Sequence, residues 1–115
     1  MQKDFKITVV GAGAMGSLFG GHMSLARYDV TLVDTFQAHV DAINKNGLRI
    51  KDAISGNIKV AHPFSTSNPS YLLEQDLIII FTKAFQTRAA IESIKHAIIP
   101  GKTGVLSLQN GLGNE

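Results

Sequence analysis

The chain has 115 residues, of which 44% are hydrophobic and 17% charged, and it contains no cysteine. These values are typical of one globular domain and exclude a disordered chain or a disulfide scaffold. The net charge of +2 is spread over scattered Lys and Arg, without the basic patch that nucleic-acid binding requires. No apolar run approaches the roughly 20 residues of a membrane span. Because residues 1–4 lead directly into a strand rather than a signal peptide, we expect a cytoplasmic protein.

The first strand, predicted at residues 5–10, ends at glycines with the spacing G-x-G-x-x-G. These are Gly11, Gly13 and Gly16, and beyond them the apolar residues take helical spacing. A strand, a glycine turn and a helix in this order allow backbone N–H groups at the helix start to bind a pyrophosphate. The first glycine permits the turn, the second gives the phosphates room, and the third lets the helix pack closely. The pattern predicts a dinucleotide site, whereas the alternative is a turn whose glycines serve packing alone.

The first helix is predicted at residues 14–26, and its apolar positions share one face. These positions are Met15, Leu18, Phe19, His22, Met23 and Ala26. Gly20 and Gly21 continue from Gly16 as a smooth strip, which suits a helix that lies close to a sheet. We interpret His22 as a buried or half-buried histidine rather than a ligand, because it falls on the apolar face.

The second strand, Asp29–Val33, is followed by Asp34, at the position where a carboxylate binds the adenosine ribose. In dinucleotide-binding folds this acidic residue lies about 20 positions after the glycine loop. A 2′-phosphate would be repelled by Asp34, and Thr35, Phe36 and Gln37 offer no cation. The sequence therefore favours NAD over NADP. The alternative interpretation of Asp34 is a helix N-cap or a solvated loop carboxylate.

The segment from residue 36 to residue 74 predicts short elements. A helix at 36–45 ends at Asn46-Gly47, and strands at Leu48–Lys51 and 57–61 flank a turn. Residues 62–70 are predicted as a loop, and 71–74 as a helical turn. His39 and His62 have no partner at metal-ligand spacing, so we interpret both as surface residues and predict no metal site.

The last third of the chain predicts a buried strand, a helix and another strand, at 77–81, 85–97 and 104–108. The unbroken β-branched run in the first of these is typical of a strand buried on both faces of a parallel sheet. Lys83 and Asn110 follow the two strands, and ligands of open α/β sheets bind at the carboxyl ends of the strands. Position alone is equally compatible with a solvated lysine and with a simple Asn-Gly turn.

Five strands alternating with helices predict an α/β fold in which one Rossmann-type domain spans residues 1–115. The expected architecture is a doubly wound parallel sheet of order 3-2-1-4-5 with helices on both faces. In this arrangement 57–61 is the third strand and Leu48–Lys51 an additional hairpin strand. The glycine loop, Asp34, Lys83 and Asn110 would then share one edge of the sheet.

Four segments together resemble the ketopantoate reductase (2-dehydropantoate 2-reductase) family. They are Gly11-Ala12-Gly13-Ala14-Met15-Gly16, Asn44-Lys45-Asn46-Gly47-Leu48, Thr82-Lys83-Ala84 and Leu108-Gln109-Asn110-Gly111-Leu112-Gly113. The last two are more specific than the glycine loop, which many dehydrogenases share. The resemblance covers essentially the whole chain but only the N-terminal domain of the family.

The resemblance implies reduction of the keto group of 2-dehydropantoate, or a similar small 2-keto acid, by a nicotinamide cofactor in pantothenate biosynthesis. The residues that would hold the pyrophosphate are Gly11, Ala12, Gly13, Ala14, Met15 and Gly16. Lys83 would lie beside the cofactor and substrate, and Asn110 would hydrogen-bond near the nicotinamide, so both would support catalysis. Glu115 matches an acidic position of the family, without an assigned role.

Two departures from the family pattern limit what the resemblance implies. Family members commonly use NADPH and carry a basic residue near the end of the second strand, where this chain has Asp34-Thr35. The general-acid lysine and a substrate-binding carboxylate belong to a helical C-terminal domain that these 115 residues lack. We therefore expect the chain to bind cofactor without catalysing the reaction, and to expose an apolar surface through which it could form a homodimer.

Two other functions remain open at this stage. One is an NAD-binding sensor without chemistry, which would have no need of Lys83 and Asn110 at the nicotinamide end. The other is a different dehydrogenase with a helical second domain, acting on a hydroxyacyl thioester or a sugar acid. The Gln109-Asn110-Gly111-Leu112-Gly113 segment argues against the latter.

Overall fold

The computed structural model describes residues 5–11, 13–51, 53–81 and 92–107. Its helices and strands are β1 (Lys6–Val10), α1 (Ala14–Leu25), β2 (Asp29–Val33), α2 (Gln37–Asn46), β3 (Leu48–Lys51), β4 (Ile58–Ala61), β5 (Phe64–Thr66), β6 (Leu77–Ile80) and β7 (Gly104–Ser107). Short 3-10 turns lie at Pro69–Tyr71 and Lys95–Ala97, and residues 92–94 are helical. In these ranges no helix combines the length and apolar character that crossing a bilayer demands.

Five of the strands form a parallel sheet in the order β5-β2-β1-β6-β7. This is the predicted 3-2-1-4-5 topology, and the α/β, Rossmann-type fold is confirmed. The three central strands are in register at their carboxyl ends, because Val10 pairs with both Val33 and Ile80. Gly11, Asp34 and Phe81, which follow these three residues in the chain, therefore emerge side by side at one edge.

Alternate side chains of each central strand point to opposite sides of the sheet. Both faces are buried, because a core cluster packs on each of them. On one face a core cluster forms, consisting of Ile7, Val9, Val30, Leu32, Ile43 and Ile79. On the other face a second cluster forms, consisting of Val10, Val33, Leu72, Ile78, Ile80, Ile94 and Ala97. The continuous apolar run of β6 is thus explained as predicted, since neighbouring residues serve different cores.

The prediction for the third strand of the sheet was wrong. Residues 57–61 were expected there, but Ile58–Ala61 pairs with Leu48–Lys51 in a separate antiparallel hairpin. The hairpin itself was predicted. The third position belongs to β5, which lies inside the predicted loop 62–70 and pairs with β2. β5 has only three residues, of which two are Ser65 and Thr66, so it carries no apolar run by which a strand could be detected.

Side-chain hydrogen bonds hold β5 in place. The Asn44 amide of α2 binds both backbone groups of Ser65, donating to its carbonyl oxygen at 2.7 Å and accepting from its N–H at 2.8 Å. The Ser65 hydroxyl donates to the carbonyl oxygen of Leu32 at 3.2 Å. Asn44 thus satisfies backbone groups on the strand edge facing away from β2, an edge that would otherwise be open to pairing with another chain.

Small corrections also apply to the predicted turn and helix boundaries. The helical turn expected at 71–74 lies at Pro69–Tyr71, where the Asn68 side chain caps it by accepting from the N–H of Ser70 at 3.1 Å. The helix predicted from residue 36 begins at Gln37, with Phe36 as its N-cap. The one-residue shift of α2 is within the usual uncertainty of helix ends, whereas the turn lies two to three residues earlier than predicted.

Helix α1 packs closely through its glycines, as predicted, with Gly20 against the parallel sheet and Gly21 against the β3–β4 hairpin. A Cβ at Gly20 would lie 2.5 Å from the Leu32 Cδ2 atom, and one at Gly21 would lie 2.5 Å from the Ile50 Cδ1 atom. The opposite face carries Met15, Leu18, Phe19 and His22, all of them exposed. The expectation that His22 is buried or half-buried was therefore wrong, because the glycines and the partly buried Met23 face the core instead.

The buried side chain of Gln75 ties several segments together on the other face of the sheet. Thr8, in the middle of β1, donates its hydroxyl to the Gln75 Oε1 atom at 2.9 Å. The Gln75 Nε2 atom donates to the carbonyl oxygen of Leu73 at 2.9 Å, and the backbone oxygen of Gln75 accepts from the Thr103 hydroxyl at 2.7 Å. Thr8 is thereby satisfied inside the core, where an unpaired hydroxyl would be destabilising.

We predict that Asn44→Ala destabilises the protein by about 1–2 kcal/mol, because it leaves both backbone groups of Ser65 without their partner. Asn44→Asp should also be destabilising, since a carboxylate accepts from the N–H but cannot donate to the carbonyl oxygen. Urea denaturation followed by circular dichroism measures both effects. Asn46→Ala, at the exposed end of α2, is the matched control and should change stability by less than about 0.5 kcal/mol. Equal midpoints for the two alanine variants would contradict the role of Asn44.

Candidate functional site

Gly11 closes the turn after β1 in a conformation that requires glycine. Its φ of +95° lies in the region that other residues rarely adopt. Its N–H donates to the carbonyl oxygen of Val33 at 2.7 Å, and a Cβ there would lie 2.4 Å from the carbonyl oxygen of Phe81. The turn is thus wedged between the ends of β2 and β6, where no side chain fits.

Gly13 and Gly16 differ in a way that separates binding from packing. A Cβ at Gly16 would lie 1.9 Å from the carbonyl oxygen of Gly11, so the start of α1 rests directly on the turn. Among the described residues, no atom lies within 4 Å of a Cβ built at Gly13. This space is open in the described part of the chain, which is the arrangement expected where a ligand approaches the backbone.

The amino end of α1 is electrostatically suited to an anion. Its first helical hydrogen bond runs from the N–H of Ser17 to the carbonyl oxygen of Gly13 at 2.8 Å, so the amides of Ala14, Met15 and Gly16 precede it. The first turn contains no acidic residue, and the side chain of Met15 is 64% exposed. The helix dipole and these amides would together favour a phosphate group.

Asp34 lies at the same edge, immediately after β2, and its carboxylate is held by two contacts. The Oδ1 atom accepts from the N–H of Phe36 at 3.2 Å, and the Oδ2 atom lies 3.1 Å from the Nδ1 atom of His39. The first contact supports the start of α2, but the N-cap of that helix is Phe36, so Asp34 is not the helix N-cap of the alternative interpretation. A carboxylate has about four acceptor positions. The described residues occupy two of them, and the others are available for the hydroxyl groups of a ligand.

His39, interpreted from the sequence as a surface residue, is only partly exposed. Its side chain is 33% exposed, and its Nδ1 atom lies within hydrogen-bond distance of the carboxylate of Asp34, whose side chain is 19% exposed. The contact arises because α2 begins directly after the strand, which places His39 in the first turn and brings its ring near the carboxylate. The signal in the sequence was a histidine in the first turn of the helix that follows Asp34. His62, by contrast, is exposed as predicted.

Three predicted site residues, Ala12, Lys83 and Asn110, lie outside the described residues. The strands that lead toward the latter two are described, and Ile80 at the end of β6 pairs with Ser107 at the end of β7. Both strands therefore run toward the same edge as the glycine loop. The N–H of Phe81 still bonds to the carbonyl oxygen of Val10 at 2.8 Å.

Other features of the described residues do not compete with this edge. No group of three or more His, Asp or Glu side chains among them could hold a metal ion. An open groove of about 600 Å³ lies among Lys6, Asp76, His96 and Lys102. These residues lie at or near the amino ends of β1, β6 and β7, whereas ligands of open α/β sheets bind at the carboxyl ends.

Comparison with known proteins identifies close similarities along the chain. The sequence profile of the ketopantoate reductase PanE/ApbA family matches residues 7–115. A 2-dehydropantoate 2-reductase of Pyrococcus horikoshii is 44% identical over 110 residues, which are 96% of this chain and 34% of that protein. The chain thus spans about a third of the length of such relatives.

Solved structures agree with the sequence comparison. A PanE/ApbA family ketopantoate reductase from Ralstonia eutropha is 34% identical with a TM-score of 0.80, over 96% of this chain and 36% of that one. A D-mandelate dehydrogenase, solved with NADH and anilino(oxo)acetate, is 35% identical with a TM-score of 0.78, over 96% of this chain and 35% of that one.

We predict that Gly16→Ala lowers stability by about 1–3 kcal/mol or more, because the new methyl group overlaps backbone that cannot move aside cheaply. Gly13→Ala is the matched control. Its methyl group would enter open space, so the loss should stay below about 1 kcal/mol, the usual cost of alanine at a helix N-cap. Thermal denaturation of the two variants measures the difference. Similar melting temperatures would show that Gly16 is not required for packing of α1.

Proposed function

The chain belongs to the ketopantoate reductase PanE/ApbA family, and on that premise we propose that it is the dinucleotide-binding part of an NAD(P)-dependent reductase. The reaction would transfer a hydride to the keto group of 2-dehydropantoate or a similar small 2-keto acid. The observation that carries the proposal is the meeting of the open space at Gly13 with the Asp34 carboxylate at one edge of the sheet.

Each end of the cofactor has a candidate partner in the chain. The amides at the start of α1 would bind the pyrophosphate, with Gly13 allowing close approach. Asp34 would accept hydrogen bonds from the hydroxyls of the adenosine ribose. Lys83 and Asn110, which follow β6 and β7 in the chain, would lie at the nicotinamide end. These groups fit a dinucleotide whose adenosine ribose carries no 2′-phosphate, since the polar group at the ribose end, the Asp34 carboxylate, is a hydrogen-bond acceptor.

Ketone reduction requires a hydride at the carbonyl carbon and a proton at the oxygen that becomes an alkoxide. When bound, the reduced nicotinamide would supply the hydride. Lys83 and Asn110 would orient the substrate carbonyl and stabilise the developing negative charge. We assign the proton donor to the helical C-terminal domain that the family resemblance implies. The chain alone should therefore bind cofactor and turn over little or none.

We propose that NAD is preferred over NADP. The supporting observation is the carboxylate of Asp34, which would repel a 2′-phosphate. The D-mandelate dehydrogenase with a similar structure was solved with NADH.

We further propose that the exposed face of α1 is covered in the complete enzyme by its helical C-terminal domain. Met15, Leu18 and Phe19 are 64%, 45% and 37% exposed, and they form an apolar groove with His22 and Met23. A face of this kind is typical of a protein–protein contact. A chain without that domain is expected to self-associate through the exposed face of α1.

The cytoplasmic location remains a prediction.

We predict that the protein binds NADH more tightly than NADPH in calorimetric titration, and that Gly13→Ala weakens both by about tenfold or more. The reason is that the methyl group would occupy the approach of the pyrophosphate. Asp34→Asn should weaken the binding of NADH. It should also bring the affinities for NADH and NADPH closer together, because it removes the charge that repels a 2′-phosphate. Tighter binding of NADPH would overturn the proposed preference. If neither nucleotide bound, the proposed function itself would be wrong.

We predict that Lys83→Ala and Asn110→Ala each lower the turnover of a full-length enzyme by about 100-fold, the scale at which one positioned polar group contributes to catalysis. The assay follows oxidation of the reduced nucleotide in the presence of 2-dehydropantoate. Lys95→Ala, at an exposed position of a 3-10 turn, is the control and should retain activity. Unchanged turnover in both site variants would favour a binding domain without chemistry.

A further inference from the structure

The contact between His39 and Asp34 places a group that can become a cation at the proposed ribose site. The Nδ1 atom lies 3.1 Å from the Asp34 Oδ2 atom, while the Oδ1 atom is held by the N–H of Phe36. A carboxylate oxygen only accepts hydrogen bonds, so Nδ1 must carry a proton in both charge states of the ring. The second proton is gained at Nε2. The contact is therefore compatible with either charge state, and what changes between them is the charge.

The other charged groups around this pair are few in the described part of the chain. On α2 they are Asp41, which accepts from the Gln37 Nε2 atom at 2.8 Å, and Lys45 in the last turn. On β2, Asp29 lies at the opposite end and pairs with Lys6 at 3.1 Å. β5, which packs against α2, contains no titratable residue. Among the residues of α2, β2 and β5, His39 is the only histidine, and histidine is the side-chain type used in proteins as a switch near physiological pH.

We infer that His39 is a specificity residue that makes the choice between NAD and NADP depend on pH. The inference rests on the proposed function, because it concerns the ribose end of that cofactor site. Neutral His39 leaves the charge of Asp34 uncompensated, so a 2′-phosphate is repelled. Protonated His39 offsets that charge and adds a cation beside the ribose, so the 2′-phosphate is tolerated. Acidic conditions therefore shift the preference toward NADPH.

The direction in which pH changes the cofactor preference can be tested with a selectivity ratio, defined as the Kd for NADPH divided by the Kd for NADH. Histidine changes charge between about pH 5 and 8, so the ratio is measured at about pH 8 and about pH 6. The 2′-phosphate also gains a proton near pH 6, which lowers the ratio without any histidine. His39→Gln retains that effect and is therefore the baseline.

We expect the fall in the ratio from pH 8 to pH 6 to be about three- to fivefold larger in the wild-type protein than in His39→Gln. This is the scale of one solvent-screened charge interaction. His39→Lys, which carries a permanent cation, should show a low ratio at both pH values. The matched control is His96→Gln. His96 is an exposed histidine on a 3-10 turn and lines the groove near the amino ends of the strands, so this variant should behave like the wild type.

The possible outcomes separate the two proposals. If the wild-type protein binds both nucleotides and His39→Gln shows the same fall in the ratio, the cofactor site stands and the role of His39 is overturned. A ratio for His39→Lys no lower than that of His39→Gln at pH 8 would overturn it too. If the wild-type protein binds neither nucleotide, the proposed function fails and the inference fails with it.

Discussion

The contact on which the rest of the structure depends is the close approach of the glycine turn to the start of α1. A Cβ at Gly16 would lie 1.9 Å from the carbonyl oxygen of Gly11. A Cβ at Gly11 would lie 2.4 Å from the carbonyl oxygen of Phe81. Three backbone segments therefore meet where no side chain can intervene. This contact fixes the direction of α1, and with it the position at which the amides of its first turn point out of the fold.

The parallel register gives this contact its functional meaning. β1, β2 and β6 end level with one another, so residues distant in sequence emerge together at one edge. Gly11 and Asp34 each directly follow a strand residue of the same register, Val10 and Val33. The separation between Gly11 and Asp34 is thus set by the strand spacing, about 4.8 Å, rather than by loops.

What could be predicted from the sequence is what short-range patterns determine. The glycine spacing, the apolar run of β6 and the carboxylate after β2 are local signals, and together they were sufficient for the strand order and the common edge. The predictions for the β5 segment and for the burial of His22 were wrong, because both depend on partners distant in sequence. β5 is held by Asn44 and by the backbone of β2, and His22 is exposed because glycines occupy the packed face of α1.

Asp34 shows why the site could be located more easily than its selectivity. Its place after β2 follows from the sequence, but its electrostatic effect depends on what its oxygens contact. One oxygen supports the start of α2 and the other meets His39, so the carboxylate is oriented before any ligand binds. A preoriented acceptor loses less entropy on binding than a mobile one. Because of these contacts, a change in the first turn of α2 would alter both the start of the helix and the charge around Asp34, the carboxylate that we propose to bind the ribose.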